Sequence, residues 1–158
     1  MDDSDLDFTT TREATLFFLD FDGVLHPVHC DPSKHLCCLP LLEATLRSAP
    51  PVEIVISSTW QDAYSVKALS KLFSPDVAAV IVGGTLEADP DREEESRHNQ
   101  IRRFLRWKNW SARPWIALDD AQDEFPEGCS QLVLCGGGVG FDETAARQLM
   151  HRFTSAHA

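Results

Sequence analysis

The sequence predicts an α/β protein of three layers, in which helices cover both faces of a mostly parallel, five-stranded sheet. Five short apolar runs alternate with segments whose apolar residues recur at helical spacing, a pattern typical of parallel sheets. The first run, Leu16 to Leu19, has no polar alternation, as expected for a strand buried on both faces. The 158 residues suit a single domain over 14–158, which we expect to follow an acidic, disordered tail over 1–13.

The predicted elements alternate along the chain. The strands are expected over 15–20, Val52–Ile56, Val77–Val82, Trp115–Leu118 and Leu132–Cys135. The helices are expected from Leu39 to a stop at Pro50-Pro51, over Trp60–Phe73, from a Ser96 cap to about Lys108, and from an Asp142 cap to about Phe153. An acidic loop over Glu87–Glu95 separates the third strand from the third helix.

Composition limits the classes of function and the compartment. The net charge of −11 argues against long, non-specific contacts with nucleic acid, so we expect no stable nucleic-acid complex. No apolar run approaches the roughly 20 residues that cross a membrane, and the acidic start is the reverse of a signal peptide. Five cysteines, two of them adjacent, indicate reduced thiols and not a disulfide framework. A cytoplasmic protein that binds no membrane is therefore expected.

Polar side chains follow three of the five predicted strands. They are Asp20 and Asp22 after the first strand, Ser57, Ser58 and Thr59 after the second, and Asp119, Asp120 and Asp123 after the fourth. Because the carboxyl ends of parallel strands lie at one edge of a sheet, we expect these groups to converge. Such residues also cap turns and helices, but capping alone does not explain two acidic pairs. Clustered carboxylates indicate a Mg²⁺ site that takes a phosphorylated substrate, with one carboxylate able to attack phosphorus.

These residues resemble the motifs of the haloacid dehalogenase (HAD) superfamily. The run L-F-F-L-D-F-D-G-V at 16–24 resembles its first motif, an apolar strand followed by D-x-D-G. The runs I-V-I-S at 54–57 and I-A-L-D-D-A-Q-D at 116–123 resemble the second and fourth motifs. The run S-R-H-N-Q-I-R-R-F-L at 96–105 resembles an R-G-x-E-I helix of small cap-less members, including the HAD domain of "Swiss Army Knife" RNA repair proteins. The resemblance implies a Rossmann-like, HAD-like sheet without a large cap domain.

The resemblance also implies a Mg²⁺-dependent phosphomonoester hydrolase, a phosphatase that works through an aspartyl-phosphate intermediate. Asp20 is then the nucleophile, and Asp22 is the general acid/base, whose main-chain carbonyl also faces the metal. Ser57 binds the transferring phosphoryl group, with Ser58 as the alternative hydroxyl. The implied magnesium ligands are Asp20, Asp22, Asp119 and Asp120, with Asp123 assisting.

The sequence motifs leave alternatives for the basic residue of the third motif and for the substrate contacts. Arg97 is the residue implied by the resemblance, and Lys67 and Lys71 are the alternatives. Without a cap the site is open, which suits a phosphorylated small molecule or a nucleic-acid end. The segment His26-Pro27-Val28-His29 would form a short flap, which makes His26 and Trp60 candidate substrate contacts.

Two other clusters admit alternative interpretations. A loop of imidazoles and thiols could bind zinc, although its spacing fits no familiar closed site; it contains His26, His29, Cys30, His35, Cys37 and Cys38. A basic run with interleaved tryptophans is either a nucleic-acid surface or a solvated amphipathic helix; it contains Arg92, Arg97, Arg102, Arg103, Arg106, Lys108, Arg113, Trp107, Trp110 and Trp115. Gly136-Gly137-Gly138 lacks the Lys-Ser/Thr of a P-loop and is interpreted as a flexible connection.

Three further functions stay open on the same scaffold. One is a phosphate-binding protein without turnover. Another is a phospho-signalling module like a response-regulator receiver domain, which Gly83-Gly84 after the third predicted strand disfavours. The last is a polynucleotide-end phosphatase in nucleic-acid repair.

Overall fold

The computed structural model describes residues 14–88 and 95–157. The strands are β1 (Thr15–Leu19), β2 (Val52–Ile56), β3 (Ile81–Gly84), β4 (Trp115–Asp119) and β5 (Leu132–Leu134). They form one parallel sheet in the order β3-β2-β1-β4-β5. The α/β fold with a five-stranded parallel sheet is therefore confirmed. The predicted tail over 1–13 and most of the acidic loop lie outside the described residues.

Strand β1 is the centre of the sheet, and all five of its residues are buried. It pairs with β2 on one side and with β4 on the other. In this register Leu19 lies opposite both Ile56 and Leu118. The residues that follow these three positions consequently emerge side by side at one edge of the sheet.

Helices cover both faces of the sheet. They are α1 (Leu39–Arg47), α2 (Val66–Ser70), α3 (Pro75–Ala78), α4 (Arg97–Lys108) and α5 (Glu143–His157). One core contains Phe17 of β1 together with Leu42 of α1 and Leu149 of α5. The other contains Phe18 of β1 and Phe104 of α4. Because neighbouring residues of β1 enter opposite cores, the arrangement has the three predicted layers.

The two predicted helix caps are confirmed. Ser96 Oγ accepts a hydrogen bond from the Asn99 N–H at 3.1 Å, and Asp142 Oδ1 accepts one from the Ala145 N–H at 2.9 Å. Helix α4 ends at Asn109, whose φ of 62° is left-handed, as is common after a helix. Among the described residues, no helix is long and apolar enough to span a membrane.

The helix predicted over Trp60–Phe73 is wrong. It is divided into a 3₁₀ turn, Thr59–Asp62, and the short helix α2. Ser58 Oγ accepts a hydrogen bond from the Trp60 N–H, and Ser65 Oγ accepts one from the Ala68 N–H. Each serine thus starts a new turn, and this local capping overrides the helical spacing of the apolar residues.

The strand predicted over Val77–Val82 is also wrong. Pro75 occupies the first turn of α3, which takes up Val77, and β3 begins only at Ile81. Gly83 and Gly84, which were placed after the predicted strand, belong to β3. A Cβ on Gly84 would lie 2.2 Å from the Gln61 side-chain oxygen, so close packing explains a glycine in this edge strand.

Candidate active site

Three buried or half-buried carboxylates meet at the carboxyl ends of β1 and β4. Asp20 directly follows β1, Asp119 is the last residue of β4, and Asp120 comes next. One oxygen from each lies within 4.8 Å of the others. Asp20 is 4% exposed and Asp119 only 1%. We refer to these three residues as the acidic trio.

Two glycines give the acidic trio its room. Gly23 has φ +79°, and a Cβ on it would lie 2.1 Å from Asp120 Oδ2, so both the turn and the space require glycine. A Cβ on Gly137 would lie 2.8 Å from the same oxygen. The interpretation of Gly136-Gly137-Gly138 as only a flexible connection missed this contact, although the position after β5, next to β4, was a signal for it.

Arg97 is the basic residue that reaches the acidic trio. It is the first residue of α4, and its Nη1 donates to Asp20 Oδ1 at 3.1 Å and lies 3.6 Å from Asp119 Oδ2. The same nitrogen donates to the main-chain carbonyl of Ser57. The alternatives, Lys67 and Lys71, have exposed side chains.

Glu124 supports Arg97 and was missed by sequence reasoning. Its Oε1 accepts a hydrogen bond from the Arg97 N–H at 2.9 Å. A carboxylate at a helix N-terminus stabilises the first turn, and here that turn carries the guanidinium. One more acid after Asp123 in an acidic segment gave no signal for this role.

The electrostatics of the acidic trio favour a cation. Burial, followed by the charge of Asp119, raises the pKa of Asp20 to about 8, against the opposing effect of Arg97. Burial likewise raises the pKa of Asp119. Burial alone would lower the pKa of Arg97, but Asp20 and Asp119 outweigh it and raise that pKa. Among the described residues, one guanidinium thus faces three carboxyl groups, an arrangement that favours the binding of a further cation.

The donor set of the acidic trio fits Mg²⁺. All donors are hard carboxylate oxygens, which Mg²⁺ prefers. Asp123, the predicted assisting ligand, is exposed in the 3₁₀ turn Gln122–Glu124 and is not part of this cluster. Asp22 was expected to face the metal through its main-chain carbonyl, and this stays a prediction; its carboxylate contacts other groups.

The Asp22 carboxylate is held by the two predicted substrate contacts. His26 Nε2 lies 2.8 Å from Asp22 Oδ1, and Trp60 Nε1 lies 3.1 Å from both carboxylate oxygens. His26 is 1% exposed, whereas the Asp22 side chain is 50% exposed. The structure therefore places Asp22 at the rim of the site and both aromatic rings against it.

The two serine alternatives have different surroundings. Ser57 Oγ is buried and has no hydrogen-bond partner among the described residues. Ser58 Oγ already accepts the Trp60 N–H at 3.1 Å and caps the following turn. A buried hydroxyl without a partner is uncommon and calls for an explanation. Of the two hydroxyls, that of Ser57 is the one without a hydrogen-bond partner among the described residues.

The loop of imidazoles and thiols forms part of the flap. The Val28 N–H donates to the Gly137 carbonyl at 2.8 Å, which joins the flap to the loop after β5. The rings of His26 and His35 stack at 4.6 Å. All five cysteines are free thiols, as predicted. In the part of the chain that the structure describes, clustered metal-ligand atoms are found at the acidic trio, and none of this loop's residues belongs to that cluster.

Much of the basic run has structural partners. Arg103 pairs with Glu95. Arg113 Nη2 pairs with Glu53 at 2.7 Å, and its guanidinium lies 4.8 Å from the centre of the Trp110 ring. Arg92 lies outside the described residues. This part of the run therefore stabilises the fold and is not a free basic surface.

The family comparison agrees with this geometry. The model of the HAD domain in Swiss Army Knife RNA repair proteins matches residues 16–146. The chain belongs to the HAD superfamily. The match runs from β1 into α5 and so includes every strand and the acidic trio. HAD membership places the chain in a superfamily of hydrolases, and the described residues carry its Rossmann-like sheet without a large cap domain. No curated protein and no solved structure gives a significant match.

Proposed function

We propose that this HAD protein is a Mg²⁺-dependent phosphomonoester hydrolase that acts through an aspartyl phosphate at Asp20. The observation that supports it most strongly is the placement of Asp20. Its buried carboxylate lies within 4.8 Å of two other carboxylates and 3.1 Å from a guanidinium nitrogen. A nucleophilic carboxylate among hard cation ligands and a phosphate-binding cation is what phosphoryl transfer requires.

The chain's own residues divide the work of binding. Asp20, Asp119 and Asp120 would hold the metal, which when bound neutralises charge on the carboxylates and on the phosphoryl oxygens. Arg97 and the Ser57 hydroxyl are placed to donate hydrogen bonds to the phosphoryl oxygens, which become more strongly bound as charge develops in the transition state. This gives the unpartnered Ser57 hydroxyl an acceptor.

The first chemical step forms the aspartyl phosphate. The Asp20 carboxylate attacks phosphorus, an oxygen–phosphorus bond forms, and the bond from phosphorus to the substrate alcohol breaks. Asp22 donates its carboxyl proton to the departing oxygen, so the alcohol leaves neutral. The exposed position of Asp22, at the rim of the site, suits contact with the leaving group.

The second step restores the enzyme. A water molecule attacks phosphorus while the Asp22 carboxylate, now ionised, takes its proton. The bond between phosphorus and Asp20 breaks, and inorganic phosphate leaves. Both carboxyl groups return to their starting protonation states.

The sheet order supports hydrolysis over the receiver-like alternative. In flavodoxin-like receiver domains the third strand lies next to the first. Here β3 is at the sheet edge and β4 lies next to β1. The acidic trio is accordingly built from the ends of β1 and β4, and β3 contributes no acidic residue.

A phosphorylated nucleic-acid end is the second candidate substrate class. The matching family is described by its occurrence in RNA repair proteins. The described residues contain no cap that would exclude a bulky substrate, and Asp22 is half exposed. With a net charge of −11, binding to such an end would be brief and local.

A substrate panel with matched variants tests the proposal. The wild type, Asp20→Asn and Asp76→Asn are assayed with Mg²⁺ on an aryl phosphate, nucleotides, sugar phosphates, phosphopeptides and oligonucleotides phosphorylated at either end. Asp76 is the control because it is an exposed carboxylate paired with Arg47, away from the acidic trio. We expect the wild type and Asp76→Asn to hydrolyse at least one of these substrates and Asp20→Asn to hydrolyse none. Equal activity of Asp20→Asn, or an inactive wild type on every substrate, contradicts the proposal.

A further inference from the structure

We propose that His26 and Trp60 are positioning residues that hold the Asp22 carboxyl group for proton transfer. The inference rests on the proposed hydrolase function, because it assumes that Asp22 acts as the acid and base. It assigns to both rings a role other than substrate contact. The contacts that support it come from two separate segments of the chain, the flap and the turn after β2.

The imidazole of His26 has one orientation with a defined donor. The Leu36 N–H lies 3.2 Å from Nδ1, so Nδ1 accepts and the proton of the neutral ring is on Nε2. Nε2 then donates to Asp22 Oδ1 at 2.8 Å. The ring is 1% exposed and stacks on His35. Leu36 itself has φ +68°, which is unfavourable for leucine, so the surrounding fold maintains this donor against a local cost.

The indole of Trp60 supplies the other donor. Nε1 lies 3.1 Å from both Asp22 oxygens. The ring packs edge-on against Phe21 with centroids 5.3 Å apart, and Phe21 is the residue between the nucleophile and Asp22. The Trp60 backbone is in turn fixed by the Ser58 cap. Trp60 therefore connects the end of β2 to the end of β1.

The two donors matter because, in the part of the chain that the structure describes, they are the hydrogen-bond partners of the Asp22 carboxylate. A half-exposed aspartate has several accessible rotamers, whereas a general acid must lie within hydrogen-bond reach of the departing oxygen. Donors from two sides select one rotamer. Their loss should reduce proton transfer and leave the attack by Asp20 almost unchanged.

Dependence on the leaving group separates this role from a purely structural one. An alkyl phosphate has a poor leaving group that needs the proton, and dinitrophenyl phosphate has a good one that does not. The parameter kcat/KM reports on steps up to formation of the aspartyl phosphate. Trp60→Phe keeps the ring against Phe21 and removes the donor. We expect a loss in kcat/KM of about tenfold or more on the alkyl phosphate and less than about twofold on dinitrophenyl phosphate.

Matched variants are available for both residues. Trp107→Phe makes the same change at an exposed tryptophan and should leave kcat/KM unchanged for both substrates. His26→Gln can keep a donor near Nε2, while His26→Asn can keep only the acceptor for the Leu36 N–H. We expect His26→Gln to retain most activity on the alkyl phosphate, and His26→Asn to show the same selective loss as Trp60→Phe.

The outcomes distinguish the two proposals. A wild type that hydrolyses neither substrate contradicts the proposed function. If the wild type is active and Trp60→Phe lowers kcat/KM equally for both substrates, or for neither, the positioning role is overturned. If the His26 variants fail to fold, as judged by circular dichroism, Trp60→Phe alone decides.

Discussion

Arg97 Nη1 lies 3.1 Å from Asp20 Oδ1, although 77 positions separate the two residues in the chain. The contact joins the first turn of α4 to the end of β1 and places the positive charge of the guanidinium at the acidic trio. The same nitrogen also donates to the Ser57 carbonyl, so Arg97 contacts the end of β2 as well. The phosphoryl group would therefore be held where three separate segments meet.

Removing this cation should slow phosphoryl transfer. In the presence of Mg²⁺, we expect Arg97→Ala to lower kcat/KM on an aryl phosphate by about 10²–10³, the usual effect of losing one preorganised transition-state donor. Arg102→Ala, an exposed arginine on the same helix, is the control and should be near wild type. Wild-type kinetics for Arg97→Ala would assign Arg97 a structural role only.

The raised pKa of Asp20 predicts how stability depends on pH without divalent ions. Its ordinary value is 3.8, and in the folded protein it is about 8. Below the lower value both states hold the proton. As pH rises between the two values the unfolded chain releases this proton and the folded chain keeps it, so Asp20 lowers the free energy of unfolding across this window.

Asp20→Asn should remove that dependence. In urea unfolding with a chelator, we expect its free energy of unfolding to exceed that of the wild type by an amount that grows from about pH 5 to about pH 8 and then levels off. A difference that is constant, or that shrinks as pH rises, would contradict the assigned direction.

Magnesium should stabilise the folded protein through the acidic trio. At a concentration of about 100 times Kd, a ligand adds about 2.7 kcal/mol, which corresponds to a rise in Tm of roughly 5–10 °C for a domain of this size. The rise should be larger at high pH, since protons compete for the carboxylates. Thermal scans of the wild type and Asp120→Asn measure it, and an equal rise in both would place the ion elsewhere.

The adjacent serines should separate function from stability. Ser57→Ala removes a hydroxyl that has no hydrogen-bond partner among the described residues. We therefore expect a clear loss in kcat/KM, with the free energy of unfolding changed by less than about 0.5 kcal/mol. Ser58→Ala removes a cap and should destabilise by about 1 kcal/mol. Steady-state kinetics and urea unfolding of both variants test this. The reverse pattern would transfer the phosphate contact to Ser58.

The glycines after β5 provide another matched pair. A Cβ at Gly137 would lie 2.8 Å from Asp120 Oδ2, whereas one at Gly138 would meet nothing within 4 Å. We therefore expect Gly137→Ala to weaken Mg²⁺ binding by displacing Asp120, and Gly138→Ala to leave it unchanged. Isothermal titration with Mg²⁺ measures both. Equal affinities would show that Asp120 can move without cost.

The sequence was sufficient to predict the centre of the fold and of the site. A continuous apolar strand followed by D-x-D-G, and a second strand followed by Asp119-Asp120, are local patterns, and parallel pairing makes their ends meet. The assignment of Arg97 depended on the family resemblance, because helical spacing alone does not distinguish it from Lys67. The edge strand β3 was misplaced because the helix start at Pro75, a local signal, was not recognised. The glycine at position 84 depends on its contact with Gln61, which no local pattern shows.

The remaining features of the site depend on contacts between distant segments. The orientation of Asp22 toward His26 and Trp60 is set by the flap and the turn after β2. The support of Arg97 by Glu124, and the approach of Gly137 to Asp120, each join elements that are far apart in the chain. Side-chain periodicity carries no information about such contacts.

Trapping the intermediate tests the central claim most directly. Borohydride reduces an acyl phosphate to an alcohol, which would convert Asp20 to homoserine, and peptide mass spectrometry locates the change. We predict homoserine at position 20 only when a phosphomonoester and Mg²⁺ are both present. Turnover of the phosphomonoester with residue 20 unmodified, or reduction at another carboxylate, would contradict the account.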